Sequence, residues 1–332
     1  MTVSTGNNVV YGSKAASIIA EPAYPIVSAY EFDFLQQEFV FRERMDKCTV
    51  YLIVQRPLTY FDNVRMDDCY IYFDIVDGEQ VPLQCRVNLV ENSICELDEP
   101  VEIEVQFFSK NPGRQQPLRD VGGLKLHRAD GSFILWWSPQ KLLYEMIVNK
   151  LKVATIGDPT AFLDFRVLYI GQAFSQKVWD RLAGHKKMQR ILTREGPIGA
   201  SPKARAPFET SLILLRATDF DEILEVPHTF MPRQEGIAPI LHPIDLDQQG
   251  ALEAFCHPFI ELGDEALTRD LEAQLIRHFR PPYNEVMFDN YPDIAGGMRS
   301  KGYSWSEVEV NGLPASLSSD HGSMKATFVF EE

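Results

Sequence analysis

The chain has 332 residues, enough for two domains of ordinary size, and 45% of them are hydrophobic, as in a packed globular protein. A formal net charge of −15 argues against loose, non-specific affinity for nucleic acid, and no run of 18 apolar residues is present to cross a membrane. Five cysteines without a Cys-x-x-Cys pair, histidines without a His-x-x-x-His, and the absence of a Gly-rich loop or a Gly-x-Ser-x-Gly elbow speak against a zinc site, a phosphate loop and a serine hydrolase.

In chain order, residues 1–25 carry Asn7, Asn8, a lone Lys14 and two prolines. They predict weak structure and no signal peptide, and with free thiols the expectation is a cytoplasmic protein. From Ala29 to Phe108 the pattern is mostly strand. Thr49–Val54, Cys69–Phe73 and Val101–Val105 are rich in β-branched and aromatic residues, and Asp77-Gly78 marks a turn. These predict an all-β sandwich or barrel over residues 1–130. Residues 109–123 read as a loop, and Ser132–Trp137 as one more strand. Ser138 followed by Pro139 predicts the start of a helix over 140–149.

Lys152–Ile156 is a short strand candidate, and Arg166–Gly171 is the next strand. Ser175 is a good N-cap for a helix running to about Arg194, with Val178, Leu182 and Leu192 on its apolar face. On the other face Lys177, Arg181 and His185 recur at steps of four and form one polar stripe. Glu195–Pro207 is a long loop, and Thr210–Arg216 predicts a third strand. Asp264 caps a helix that runs to Phe279 and is stopped by Pro281-Pro282. Tyr303–Val310 and Lys325–Glu332 read as a C-terminal hairpin.

Charge is distributed unevenly. Residues 166–205 hold nine Lys/Arg against Asp180 and Glu195, a local +7 that leaves −22 elsewhere. A basic patch attracts phosphate within a Debye length of about 10 Å even on an acidic protein. A solvated helix face is the plain alternative.

Tyr169-Ile170-Gly171, then Arg181-Leu182 with His185, then Glu272 followed twelve residues later by Asn284 in Pro-Pro-Tyr-Asn, resemble the GIY-YIG nuclease family. The resemblance covers roughly residues 150–292. It implies an α+β chain: the all-β domain, a GIY-YIG-like domain over 131–292 with a small three-stranded antiparallel sheet flanked by helices, and a β-hairpin extension over 293–332. It implies a DNA endonuclease that uses one Mg²⁺ or Mn²⁺ and acts in restriction, phage defence or repair.

The resemblance also gives the residues roles. Glu272 is the metal ligand, one carboxylate whose shell waters and phosphate oxygens complete. Tyr169 is the base or the orienter of the attacking water, a task that needs cations such as Lys177 or Arg181 nearby to favour phenolate. Arg181 clamps the phosphate in a guanidinium fork, and His185 relays a proton. Asn284 supports the site. Lys177, Lys186, Lys187 and Arg190 are the candidate contacts to duplex DNA. The plain alternatives are a strand-end core tyrosine, a helix glutamate, an exposed histidine and a turn asparagine. The family also carries a Gly-Ile-Tyr on its first strand. The expected counterpart, Val153–Gly157, has no tyrosine. That leaves two further readings open: a nucleic-acid-binding module with weakened catalysis, and a protein-interaction protein that uses the acidic β domain.

Overall fold

The computed structural model describes residues 8–28, 31–32, 39–108, 112–113, 115–173, 191, 208–231, 236–256 and 264–325. It is an α+β structure dominated by strands in two sheets. The larger sheet has nine strands. Its centre is β1 (Val9–Pro22), which pairs antiparallel with β12 (Phe208–Glu225). Next to β12 comes β3 (Val50–Pro57), and beyond it β11 (Asp164–Gln172), each antiparallel to its neighbour. Shorter strands complete the sheet: β2 (Val27–Ser28) on β12, β13 (His242–Asp245) and β14 (Trp305–Val310) on β1, β15 (Ser316–Ser318) on β11 and β16 (Ser323–Met324) on β15.

The smaller sheet has seven strands: β4 (Tyr60–Asp67), β5 (Tyr70–Val76), β6 (Leu83–Asn88), β7 (Val101–Phe107), β8 (Val121–Arg128), β9 (Phe133–Trp137) and β10 (Val153–Ile156). Alternation along β5 buries Ile71, Phe73 and Ile75 and turns Tyr70 and Tyr72 outward. One core joins these buried residues to Trp137 and to Leu142, Leu143 and Ile147 of a helix, Pro139–Ile147. That helix starts where expected, with the Ser138 hydroxyl accepting from the Lys141 amide at 3.2 Å.

All strands of the smaller sheet lie between β3 and β11 in sequence. Gln55 sits opposite Arg166, so the chain leaves and re-enters the larger sheet at adjacent points. The seven-stranded unit is therefore inserted into a β-hairpin. The strands expected as one unit over 1–130 are divided between the two sheets, and so are those expected over 131–292. Val153–Ile156 pairs with β6 in the smaller sheet, not with the Tyr169 strand. Of the expected C-terminal hairpin, Tyr303–Val310 yields β14 (Trp305–Val310), which runs parallel to β1, and residues 326–332 lie outside the described residues.

Of the described helices, Phe39–Met45 becomes α1, Pro139–Ile147 α2, Ala251–Cys256 α3 and Asp264–Phe279 α4. Helix α4 lays Leu271, Leu275 and Phe279 on one face of the larger sheet, against Val54, Val167 and Ile170. Among the described residues no helix is long and apolar enough to cross a membrane. All five cysteines are free, and burial pushes the thiols of Cys48 and Cys85 up to about 12.

Candidate active site

Tyr169, Ile170 and Gly171 lie near the end of β11, after a bulge at Leu168. The opposite face of the larger sheet from α4 gathers Tyr51, Ile53, Leu168, Ile191 and Tyr283, with half-buried Tyr169 packed against them. Tyr51 stands directly across from Gly171 on β3. Its ring centroid is 6.0 Å from that of Tyr169, tilted by 43°. Gly171 makes this possible. A Cβ there would lie 2.7 Å from the Tyr51 hydroxyl oxygen and 2.8 Å from the Tyr169 ring.

Tyr51 is the residue the sequence reading missed. The strand antiparallel to Tyr169 does carry a tyrosine, but it lies more than a hundred positions upstream of it. Its signal was present in Thr49–Val54, which reads as a strand. The pairing was hidden because the insertion separates the two halves of the hairpin.

Asn284 is joined to the same strand by two hydrogen bonds. The Ile170 amide donates to its Oδ1 at 3.0 Å, and its Nδ2 donates to the Ile170 carbonyl at 2.8 Å. The Tyr283 amide adds a third, to the Leu168 carbonyl at 3.2 Å. The local sequence explains the approach. Helix α4 ends at Phe279, and Arg280 takes a left-handed φ of 45°. Pro281-Pro282 cannot continue the helix, so the chain turns and lies along the edge of β11. A helix and the Tyr-Ile-Gly strand are thereby locked together through Asn284.

Glu272 sits on this helix, half-buried beside Leu271 and Leu275. Seven residues separate it from the helix end, about 10 Å of rise. One turn earlier Thr268 is fully buried, and its hydroxyl has no hydrogen-bond partner. No group of three or more His, Cys, Asp or Glu side chains gathers among the described residues. The donor the resemblance implies is therefore the Glu272 carboxylate alone, with the Thr268 hydroxyl enclosed one turn away. Hard oxygens of this kind suit a magnesium-like ion that keeps most of its shell for water and phosphate.

The structure therefore brings Tyr169 and Asn284 together and adds Tyr51 and Tyr283. It ties the Glu272 helix to the same strand, but on the other face of the sheet from the tyrosine cluster. Arg181, His185, Lys177, Lys186, Lys187 and Arg190 lie outside the described residues. Ile191, helical and fully buried, packs in the cluster that holds the tyrosines.

The chain matches no protein-family model, no curated protein and no solved structure.

Proposed function

We propose that the chain is a metal-dependent endonuclease that hydrolyses phosphodiester bonds in duplex DNA. The observation that carries this reading is the paired hydrogen bonding of Asn284 to Ile170. It fixes the helix bearing Glu272 to the strand bearing Tyr169, as the resemblance to GIY-YIG nucleases leads one to expect. Tyr51 beside Tyr169 supports the same reading, because it supplies the second phenol that the weakened-site alternative lacks.

Burial divides the two phenols. Tyr51 is 0% exposed and supports the neighbouring ring, whereas half-buried Tyr169 is the one placed to orient a water and receive its proton. Arg181, as the resemblance implies, holds the non-bridging phosphate oxygens. His185 passes the proton on to bulk water. Glu272 would hold Mg²⁺ or Mn²⁺, which when bound supplies charge for the phosphate and the departing oxygen. Gly171 and Asn284 touch no substrate; they hold the Tyr169 strand in place.

Supercoiled plasmid incubated with Mg²⁺ tests the reading. The wild-type chain is expected to nick it. Tyr169→Phe and Arg181→Ala are each expected to cut at least about a hundredfold more slowly, the usual scale for losing a general base or an electrostatic clamp. Cutting by Tyr169→Phe at the wild-type rate would remove the phenol from the mechanism.

A further inference from the structure

The outer face of the smaller sheet carries a second feature, away from the tyrosine cluster. Tyr70 and Tyr72 point outward from β5 with ring centroids 6.1 Å apart. The Arg65 guanidinium lies over Tyr72 at 4.6 Å, and that of Arg86 over Tyr70 at 5.4 Å. Register explains the stack. Arg65 on β4 and Arg86 on β6 both stand opposite Tyr72, on either side of it. The four groups form one continuous array, Arg65–Tyr72–Tyr70–Arg86, across three strands.

Both arginines are exposed, and among the described residues neither makes an ion pair. Arg128, Arg166, Arg216, Arg269 and Arg280 each hold a carboxylate. Carboxylates are also near the array: Asp67 stands opposite Tyr70, and Asp74 lies on the same strand, bonded by the Asn63 amide at 2.6 Å. A guanidinium held over a ring face keeps N–H groups for another partner, and two such forks match phosphate oxygens. Aromatic rings on an open sheet face are the surface on which unpaired bases stack.

We infer that this face binds single-stranded nucleic acid, with Arg65 and Arg86 on successive phosphates and Tyr70 and Tyr72 against the bases. Binding here needs neither Glu272 nor a metal, so it stands apart from the cleavage reading. In a nuclease, it would give the chain a grip on an unpaired strand beside the duplex that is cut.

The test uses the full chain in EDTA and a fluorescein-labelled oligothymidine, with anisotropy recorded over a series of salt concentrations. Arg65→Ala/Arg86→Ala is expected to bind at least about tenfold more weakly. Two lost phosphate contacts should flatten the slope of log K against log salt by about 1.4. Tyr70→Ala/Tyr72→Ala should weaken binding and leave the slope unchanged, and Arg65→Lys/Arg86→Lys should keep the slope and lose affinity. Thermal melts check that every variant is folded. No binding by the wild type, equal binding by the alanine pairs, or equal competition by blunt duplex would each overturn the inference. Binding through this face in a chain that never nicks plasmid would sink the nuclease reading alone.

Discussion

At the scale of single residues, small changes carry large geometric consequences. Gly171 is needed because two tyrosine rings occupy the space of its missing side chain. Gly171→Ala should force Tyr51 and Tyr169 apart and cost about 1–3 kcal/mol, the range for overpacking a filled site. Urea denaturation measures it, and an unchanged midpoint would mean the rings adapt freely. Asp270 makes a second case. Burial raises its carboxyl to about 6 from an ordinary 3.8, although the Met298 amide donates to it at 2.7 Å. Here the folded state holds the proton more tightly than the unfolded one. Stability should therefore fall as pH rises from about 4 to above 6, by up to about 3 kcal/mol for this group. Asp270→Asn should flatten that window, giving a chain more stable than wild type at pH 7.5 and similar to it at pH 4. A parallel pair of stability–pH curves would show that the carboxyl is ionised without cost.

At the scale of elements, the helix and the strand of the candidate site were legible in the sequence, and much of their setting was not. Tyr169-Ile170-Gly171 after an apolar run predicted β11, and Pro281-Pro282 after a periodic segment predicted the end of α4. The central strand β1 was not visible. Its middle, Gly12-Ser13-Lys14-Ala15-Ala16-Ser17, lacks the β-branched and aromatic residues that mark a strand. These side chains, small apart from Lys14, are buried because strands pair along both of its edges and packed cores cover both of its faces. Helix α4 is similar. It reads as amphipathic, yet its second side is covered too: Asp270 holds the Met298 amide and Gln274 donates to Ser306 at 3.1 Å. Asp270 and Gln274 can line a buried helix face because each finds a partner, and no periodicity in the sequence reveals that.

At the scale of the whole molecule, the decisive fact is the insertion. Tyr51 and Tyr169 face one another across a hairpin whose loop is an entire seven-stranded unit. Pairing over such a separation leaves no turn signature, so the Val153–Ile156 strand stood in its place. Arg56 fastens the junction, donating to the Phe162 carbonyl at 2.7 Å, to Thr59 and to Glu209. The two sheets also have separate cores. Replacing residues 58–163 by a short Asn-Gly turn should therefore leave a larger sheet that still folds cooperatively. A chain that shows no cooperative melt after the replacement would mean the insertion is part of one folding unit.

On the proposed function, Glu272, on a helix tied to the Tyr169 strand by Asn284, serves phosphodiester cleavage. The most direct measurement compares wild type and Glu272→Ala on supercoiled plasmid with Mg²⁺, with thermal melting as the check on folding. Glu272→Ala is expected to melt like wild type and to leave the plasmid closed. Nicking at the wild-type rate by the folded variant, or no nicking by the wild type itself, would contradict this role.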